Sequence, residues 1–411
     1  MIGKRALLGS LVFAVIACGS MAWAASETVL HSFGSGSDGQ APFAGLTMDA
    51  SGNLYGTASA GGGSGQCGGM GCGVVYRLTP AGGGNWNYSM LHAFTQNEGG
   101  NPYSTIAMDH SGSLYGTTLY YAEGCGTVFS LTPGSGGTWS ESTLHRFTCG
   151  NDGFSSYGVV FDSTGRLFGT AYAGGAHEDG LVFNLGHASV LSWYELVLHA
   201  FDGTDGNAPA GNLIFDAAGN IYGTTYEGAS GLTGLVFKLS PGGGAGWQES
   251  VLYAFQGLGF TAGPDGVNPV AGVVADAEGN LYGTCDYGGP ADLGTVYELS
   301  PNGSGGWTET VLYAFRGGSD GGHPYAGVIL DQQGNLYGTT QGGAGSNGTV
   351  YKLTRGSNGQ WTETILYAFM GGADGSTPYG GLVMDGSGNL YGTTAFGGKY
   401  GGGVVFEIPG Q

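Results

Sequence analysis

Short segments in which apolar and polar residues alternate cover most of this chain. Residues 348–353 read Gly-Thr-Val-Tyr-Lys-Leu, and residues 361–369 read Trp-Thr-Glu-Thr-Ile-Leu-Tyr-Ala-Phe. A period of two, combined with many β-branched and aromatic residues, is typical of β-strands with one buried face. No segment repeats its apolar residues with the period of an amphipathic helix. The pattern therefore predicts an all-β protein.

The tetrapeptide Leu-Tyr-Gly-Thr, or a near copy of it, occurs seven times. Its aromatic residue lies at Tyr55, Tyr115, Phe168, Tyr222, Tyr282, Tyr337 and Tyr391. The copies are 53–60 residues apart, and each unit holds four predicted strands. Units of this kind predict a seven-bladed β-propeller with four-stranded blades. A superhelical solenoid is the alternative, but its repeats are usually shorter and need distinct capping ends.

The two ends of the repeat region predict how the ring closes. Residues 27–33 read as a lone fourth strand, and residues 404–408 read as a third strand without a partner after it. Pairing these two segments would complete the last blade and cover two strand edges that would otherwise be exposed. We therefore expect a closed ring in which the N-terminal strand is the outer strand of blade 7.

The repeated motifs also resemble a known family. Asp-x-x-Gly-Asn-Leu-Tyr-Gly-Thr-Thr followed by Gly-Thr-Val-Tyr-x-Leu is similar to the GloVer tandem-repeat family of exported bacterial proteins, and the resemblance covers nearly all of residues 27–408. More distantly, the turn before the second strand is similar to that of NHL-type propellers. The resemblance implies a propeller fold and export, and it implies no catalytic residue, because the family has no established activity.

Residues 1–24 have the features of a signal peptide. Lys4 and Arg5 precede an apolar run at 6–17, and Ala-Trp-Ala at 22–24 offers a cleavage site. Residues 15–18, Val-Ile-Ala-Cys, alternatively resemble a lipobox in which Cys18 would be lipidated. Both interpretations export the chain, either as a secreted or periplasmic protein or as a cell-surface lipoprotein. Residues 25–411 would then form a single seven-bladed propeller.

Charge and composition exclude several classes of partner. The chain has 10 basic and 30 acidic residues, a net charge of −20, so it lacks the basic surface that nucleic acids or anionic lipids need. No segment after the leader is long and apolar enough to span a membrane. Although 90 residues are glycine, 41% of the chain is apolar, which supplies a core and argues against disorder. We expect a monomer.

Five cysteines follow the leader. Cys67 and Cys72 could close a small glycine-rich loop, and Cys125 and Cys149 bracket a predicted hairpin, so disulfides are expected at both pairs of an exported protein. Zinc at the first pair is an alternative, but two further ligands at suitable spacing are missing. Cys285 is left over.

Acidic residues recur in register with the repeat. One set ends the first strand of each unit: Asp49, Asp109, Asp162, Asp216, Asp276, Asp331 and Asp385. A second set precedes the first strand: Asp38, Glu98, Asp152, Asp205, Asp265, Asp320 and Asp374. A third set lies in six fourth strands: Glu27, Glu141, Glu195, Glu249, Glu309 and Glu363. Because they repeat, we expect these acids to serve the scaffold, the first set by accepting turn N–H groups. No cofactor is predicted, and calcium bound by the second set is an alternative.

Histidine and tyrosine share one register of the fourth strand. The position holds His31, His92, His145, His199, Tyr253, Tyr313 and Tyr367. A place that accepts tyrosine is not expected to hold a metal ligand or a catalytic base.

Two sets of residues break the symmetry of the repeat, and both lie in loops that emerge on one face of a propeller. The acidic arc comprises loop residues of blades 2–5: Glu123, His177, Glu178, Asp179, Glu227, Asp286 and Asp292, with Tyr120, Tyr121, Tyr172, Tyr226 and Tyr287. The aromatic arc comprises the residues just before the first strand of blades 1, 2, 6 and 7: Phe43, Tyr103, Tyr325 and Tyr379. The alternative is that the aromatics wedge between blades and the acids keep the protein soluble.

These arcs suggest three functions. The first is a non-catalytic binding or scaffold propeller that holds a carbohydrate or a protein over the central channel, with the aromatic arc and Tyr172, Tyr226 and Tyr287 as contacts. The second is an extracellular lyase or glycoside hydrolase, with an acid/base set of His177, Glu178, Asp179, Glu227 and Asp286. The third is a self-associating structural surface protein. The sequence contains no nucleophile elbow, HExxH motif, phosphate-binding loop or dinucleotide fingerprint, and fold analogy alone supports the enzyme.

Overall fold

In the computed structural model, the described residues are 26–410 except 35, 64, 121–123, 190–191, 229–232, 243–245, 258–262 and 343–346. They form seven antiparallel sheets arranged as the blades of a propeller, which confirms the all-β, seven-bladed prediction. The proposed leader and Cys18 lie outside the described residues. No helix of the described part of the chain is long and apolar enough to cross a membrane.

Each blade runs from a first strand at the channel to a fourth strand at the outer edge. Blade 1 consists of Thr47–Met48, Leu54–Ala58, Val74–Gly82 and Asn85–Ala93. Blade 2 consists of Ala107–Met108, Leu114–Tyr120, Thr127–Pro133 and Trp139–Arg146, and the short strand Gly100–Pro102 also pairs with its second strand. Blade 3 consists of Phe154–Phe161, Leu167–Ala173, Leu181–Ser189 and Ser192–Ala200. Blade 4 consists of Asn207–Phe215, Ile221–Glu227, Leu235–Pro241 and Trp247–Ala254. Blade 5 consists of Val274–Ala275, Leu281–Cys285, Thr295–Pro301 and Trp307–Ala314. Blade 6 consists of Ile329–Leu330, Leu336–Thr340, Thr349–Arg355 and Trp361–Ala368. Blade 7 consists of Val383–Met384, Leu390–Thr394, Val404–Ile408 and the N-terminal strand Thr28–Ser32. Within the described residues, two short 3-10 turns, Ser135–Gly137 and Gly318–Asp320, lie in loops.

The N-terminal strand closes the ring. Thr28–Ser32 pairs antiparallel with Val404–Ile408, with Thr28 opposite Glu407 and Ser32 opposite Val404. The two predicted edges are therefore paired with each other, and the expectation for closure is confirmed.

The second-strand motif is explained by packing within the blade. Its leucine, which is Ile221 in blade 4, is buried in every copy, and its glycine lies under the aromatic ring of the third strand. A Cβ on Gly223, for example, would lie 2.6 Å from the ring of Phe237. A larger residue at this position would push the two strands apart, so the repeat needs glycine for close approach.

The Asp at the end of each first strand organises the turn after it. In blade 6, Asp331 Oδ1 accepts the backbone N–H groups of Gln333 and Asn335, at 2.9 and 2.8 Å. Its Oδ2 accepts the Asn335 side-chain amide at 2.7 Å and the Tyr337 hydroxyl at 3.0 Å. The motif Asp-x-x-Gly-Asn-Leu-Tyr is thus one hydrogen-bonded unit, as the register of its acid predicts.

A buried phenylalanine at the end of each fourth strand joins neighbouring blades. These residues are Phe33, Phe94, Phe147, Phe201, Phe255, Phe315 and Phe369, and none is more than 4% exposed. Each contacts the third-strand aromatic of the next blade; Phe33 and Tyr76, for instance, have ring centroids 5.1 Å apart. The core is therefore a ring of seven interblade clusters rather than one central mass.

Four of the cysteines form two disulfides. Cys67 and Cys72 are bonded with their Cα atoms 5.2 Å apart, and Cys125 and Cys149 with theirs 5.3 Å apart. Among the described cysteines, Cys285 remains a thiol; it is fully buried, and that burial raises its pKa.

Candidate functional site

The central channel contains a cavity of about 360 Å³. Backbone and small apolar side chains from the first strands form most of its wall. All four residues of the aromatic arc line it, Phe43, Tyr103, Tyr325 and Tyr379, and so does Tyr157 of blade 3. The side chains of the predicted arc are therefore brought to one place, where all five aromatic residues are half-buried.

The five aromatic residues contact one another in a continuous series. Tyr325 and Tyr379 have ring centroids 5.1 Å apart, Tyr379 and Phe43 are 5.2 Å apart, and Phe43 stacks on Tyr103 at 5.0 Å. Tyr103 then meets Tyr157 at 5.9 Å. These separations are typical of offset-stacked and edge-to-face pairs. The aromatic arc, extended to Tyr157, is a collar over five of the seven blades.

The tyrosine side chains of the collar also converge across the channel. Burial raises the pKa of Tyr325, and the nearby Tyr103 and Tyr157 raise it further. Burial likewise raises the pKa of Tyr103, with Tyr157 and Tyr379 contributing. These hydroxyls stay protonated at neutral pH, so each offers one donor and an acceptor to whatever occupies the channel mouth.

Tyr157 was missed in the sequence because blade 3 is one residue shorter before its first strand. The loop acid precedes the first-strand Asp by ten residues in blade 3, Asp152 and Asp162, and by eleven in the others. The aromatic position therefore shifts to five residues before Asp162. Counting five residues forward from the loop acid Asp152 would have found it.

A buried carboxylate and a histidine lie where the two arcs meet. Asp286, at the end of a second strand, is only 7% exposed. The Nδ1 atom of His323 lies 3.2 Å from Asp286 Oδ1 and 3.1 Å from the backbone oxygen of Asp286. The adjacent Asp286 side chain raises the pKa of His323, which favours an imidazolium–carboxylate pair.

The backbone holds His323 rigidly. It lies in the link, the segment that joins the fourth strand of one blade to the first strand of the next. One position of this link has φ near +57° in every blade, and proline follows it in all blades but the third. The seven residues at this position are Ala41, Asn101, Ser155, Ala208, Asn268, His323 and Thr377. The His323 N–H donates to Leu293 in the preceding blade at 2.8 Å, and its carbonyl accepts from Gln341 at 3.0 Å. His323 is the one titratable residue among the seven. That difference was visible in the sequence, but nothing there indicated that it faces Asp286.

The charge of Asp286 acts on four tyrosines. It is the largest cause of the raised pKa of Tyr287. For Tyr226, whose pKa rises to about 12, and for Tyr325 and Tyr379, it adds to the effect of burial. The mouth of the channel is thus a negatively polarised, tyrosine-rich surface.

Other members of the acidic arc join the same surface. Tyr172 contacts Tyr157 with ring centroids 5.6 Å apart, and Tyr287, which is 37% exposed, contacts His323 edge-on at 4.9 Å. Burial raises the pKa of Tyr172, and Glu227 raises it further. Tyr172, Tyr226, Tyr287, Glu227 and Asp286 therefore continue the collar around the blades that the aromatic arc leaves open.

The remaining predicted residues lie elsewhere. His177 and Glu178 are exposed, and the described part of the cavity wall includes neither of them nor Asp179. Asp179 accepts the Asn207 side-chain amide at 2.7 Å in the link to blade 4, and Asp292 accepts a turn N–H from Gly288 at 2.9 Å. Tyr121, Glu123 and the side chain of Tyr120 lie outside what the structure describes.

The second set of recurrent acids also has structural partners. Asp374 Oδ2, for example, accepts the Met370 N–H at 2.7 Å and the Tyr367 hydroxyl at 3.1 Å. Asp152 accepts the N–H and the hydroxyl of Thr148 at 2.9 and 2.6 Å. These carboxylates order the loop between the fourth strand and the next blade.

Comparison with solved structures supports the fold. The chain is similar to the extracellular domain of the "putative one component system BT4673" from B. thetaiotaomicron, with a TM-score of 0.50 and 13% sequence identity. The match covers 91% of this chain and 40% of that one, so the chain spans well under half of its length. At this identity the likeness concerns the fold alone.

Comparison at the level of sequence identifies the family. No curated protein matches the chain. The model of the Gloeobacter/Verrucomicrobia repeat matches residues 20–234 and 210–411, which together include all seven blades. The motif resemblance is thereby confirmed, and the chain belongs to the Gloeobacter/Verrucomicrobia repeat family.

Proposed function

We propose that this chain is an exported, non-catalytic binding protein that takes the end of a carbohydrate chain at the mouth of its central channel. The observation that carries the proposal is the aromatic collar around a cavity of about 360 Å³. The buried Asp286 is not among the residues of the described wall, but its charge acts on Tyr325 and Tyr379 of the collar. A volume of this size falls within the range of about 300–1,000 Å³ that is usual for small-ligand sites. A protein partner would need roughly 800 Å² of contact surface on each side.

The chemistry of the collar suits a sugar. Aromatic rings can cover the apolar C–H faces of a pyranose, while the hydroxyls of Tyr103, Tyr325 and Tyr379 can donate to and accept from its hydroxyl groups. Asp286 supplies a charged acceptor, and hydrogen bonds to charged groups are stronger than neutral ones. The ligand is expected to be neutral or cationic, because the net charge of −20 and Asp286 both disfavour an anion.

The non-catalytic part of the proposal rests on where the candidate acid/base residues lie. Hydrolysis of a glycoside commonly uses two carboxyl groups that flank the scissile bond. His177 and Glu178 are exposed, and Asp179 is hydrogen-bonded in a link. Asp286 is paired with His323, so it is better placed to fix a hydroxyl than to exchange a proton with one.

Binding to a broad glycan and polysaccharide array tests the proposal. The full chain, expressed with its own leader, would be compared with Tyr325→Ala, Tyr379→Ala and Asp286→Asn. Tyr400→Ala is the matched control, since Tyr400 is an exposed loop aromatic outside the described cavity wall. We expect each collar variant and Asp286→Asn to weaken binding at least about tenfold, and the control to leave it unchanged. Tyr379→Phe keeps the ring and should lose less than Tyr379→Ala.

Two results would contradict the proposal. The absence of saturable binding to any glycan, with or without calcium, would exclude carbohydrate and favour a protein partner or self-association. Release of shortened products from a bound glycan would instead show catalysis. Export is tested separately by the mass of the processed chain, which should begin at Ala25 after simple cleavage or at an acylated Cys18 after lipidation.

A further inference from the structure

A repeated cluster of polar side chains joins neighbouring blades at their outer edge. In each case the fourth-strand His or Tyr lies beside the loop acid that follows it. In six of the seven cases, the fourth-strand Glu of the next blade approaches the same place. In the seventh, Tyr88 takes the position of that Glu and stacks on His31 with ring centroids 4.2 Å apart.

Four of the seven clusters contain a direct hydrogen bond between their members. The Tyr253 hydroxyl donates to Asp265 at 2.6 Å, and the Tyr313 hydroxyl contacts both Asp320 and Glu363. His199 Nε2 is 2.9 Å from Asp205 Oδ2, a hydrogen-bond distance. Buried atoms without a hydrogen-bond partner nevertheless occur in most clusters: Nε2 of His31 and His92, and Oε1 of Glu27, Glu249, Glu309 and Glu363.

The cluster between blades 2 and 3 differs in how closely its three side chains converge. His145 Nε2 lies 3.5 Å from Asp152 Oδ2 and 3.8 Å from Glu195 Oε2. One ligand atom from each of the three residues lies within 4.8 Å of the other two, and no other group of His, Cys, Asp and Glu among the described residues meets that condition.

Two atoms of this cluster are buried without a hydrogen-bond partner. They are His145 Nε2 and Glu195 Oε1. The Glu195 side chain is only 8% exposed. One of its oxygens and one oxygen of Asp152 lie within 4.8 Å of each other, so two charged carboxylates in this place repel each other. A buried carboxylate and imidazole that face each other unpaired require either a proton or a cation between them.

We propose that His145, Asp152 and Glu195 bind a zinc ion that joins blades 2 and 3. Zinc has bonds of about 2.0–2.2 Å to imidazole and carboxylate ligands, so two ligand atoms of a tetrahedral site lie about 3.4 Å apart. The separations of 3.5 and 3.8 Å from His145 Nε2 need only small side-chain shifts to reach that value. Three protein ligands leave the fourth position for water. Calcium is disfavoured, because it takes six to eight oxygen ligands.

The surroundings hold the ligands in place. Asp152 is fixed by two hydrogen bonds from Thr148, whose N–H donates to Oδ2 and whose hydroxyl donates to Oδ1; Oδ2 is also the atom that lies nearest to His145. The His145 ring packs edge-on against Phe147 at 4.8 Å. Because His145 belongs to blade 2 and Glu195 to blade 3, the ion would connect the two blades. The occurrence of tyrosine in this register elsewhere does not argue against the site, since the convergence is particular to this pair of blades.

The chain contains its own control for this proposal. Tyrosine replaces the histidine in blades 4, 5 and 6, so His145→Tyr imitates a residue that the scaffold already accepts. The test is a calorimetric titration of the metal-stripped full chain with Zn²⁺ alone, followed by Co²⁺ and its visible absorption spectrum. We expect one equivalent of Zn²⁺ to bind and a tetrahedral Co²⁺ spectrum to appear. His145→Tyr and Glu195→Gln should each weaken binding about 100-fold or more, as the loss of a direct ligand requires. His199→Tyr should leave binding unchanged.

Several outcomes would overturn the proposal. They are the absence of Zn²⁺ binding to the stripped chain, equal binding by His145→Tyr, or displacement of Zn²⁺ by an equal concentration of Ca²⁺. Circular dichroism checks that each variant is folded. If His145→Tyr does not fold, the Zn²⁺ titration of Glu195→Gln tests the proposal instead.

Discussion

The hydroxyl of Thr393 in blade 7 donates a hydrogen bond to the backbone carbonyl of Ala44 at the start of blade 1, across 2.9 Å. This bond joins residues 349 positions apart and closes the inner ring. The threonine of the second-strand motif makes the same bond to the next blade in five other places: Thr57 to Ser104, Thr117 to Ser156, Thr224 to Ala271, Thr284 to Ala326 and Thr339 to Gly380. Thr170 of blade 3 is also buried, but its hydroxyl has no hydrogen-bond partner.

This difference makes Thr393 and Thr170 a matched pair for mutation. Thr393→Val keeps the shape of the side chain but leaves the Ala44 carbonyl without this donor, so it should lower the free energy of unfolding by about 1–2 kcal/mol. Thr170→Val removes an unsatisfied hydroxyl and should be neutral or slightly stabilising. Urea unfolding of both variants measures the two effects. Equal destabilisation would show that the interblade hydrogen bond contributes nothing particular.

Ring closure depends on Phe33 as much as on strand pairing. Phe33 is fully buried in the core between blades 7 and 1, although its strand is the first described. Phe33→Ala should cost about 3–5 kcal/mol, as for other buried aromatic residues cut back to alanine. Thr28→Ala, in an exposed position of the same strand, is the control and should change stability by less than about 0.5 kcal/mol. A small effect of Phe33→Ala in thermal and urea unfolding would mean that the ring is stable without this closure.

The fourth-strand glutamates predict stability that falls as pH rises. Burial raises the pKa of Glu363 to about 8, with Asp320 beside it as the next cause. The folded chain therefore binds this proton more tightly than the unfolded chain, whose ordinary value is 4.5. Its contribution is complete below pH 4.5 and is lost as the pH rises to about 8. Glu363 suits the test because Tyr313, rather than a titrating histidine, faces it.

Glu363→Gln should flatten that dependence. We expect the variant to match the parent near about pH 5 and to be the more stable of the two near about pH 8.5, where the parent must keep a charged carboxylate beside Asp320. Glu278→Gln, in an exposed turn, is the control. Denaturant unfolding across this range measures both, and a parallel loss of stability in parent and Glu363→Gln would contradict the prediction.

The first-strand aspartates predict the opposite dependence at lower pH. Burial alone would raise the pKa of Asp331, but hydrogen bonds from Asn335, Tyr337 and Gln333 lower it below 3.8. A lowered pKa contributes stability that is present above pH 3.8 and is lost as the pH falls through the folded value. Since all seven aspartates share this shift, acid unfolding below about pH 4 should be steep.

Substitution of one such aspartate gives the size of the effect. Asp331→Ala removes the acceptor of four hydrogen bonds and should lower the free energy of unfolding by about 2 kcal/mol at neutral pH, with Asp331→Asn losing less. Gln332→Ala, which alters an exposed side chain in the same turn, should have almost no effect. If Asp331→Ala were as stable as the control, the turn would be held by its backbone alone.

Much of the fold followed from local patterns that repeat. The alternation of apolar residues, the Leu-Tyr-Gly-Thr motif and the Asp before each turn operate within a few residues or between adjacent strands, so they are readable without tertiary structure. Asp331 and Asn335 illustrate this, because the hydrogen bonds between them form within one hairpin. Closure was also predictable, because a spare strand at one end matched a missing strand at the other.

The site was predictable only in part. The register before the first strand identified Phe43, Tyr103, Tyr325 and Tyr379, but a one-residue deletion hid Tyr157. His323 was overlooked because its role comes from Asp286, which is 37 residues away in another blade.

The sequence by itself thus determined the number of blades, their strands, the closure of the ring and the set of scaffold acids. Only the tertiary structure decided which of several similar residues meet. Asp286 and Asp179 lie in equivalent loops, yet one faces the tyrosine collar and the other a link between blades. His145 and His199 share a register, yet only His145 converges with two carboxylates and remains unbonded. The physical reason is that such convergence depends on differences of about 1 Å in how adjacent blades pack, to which charge pairing and hydrogen bonding are sensitive.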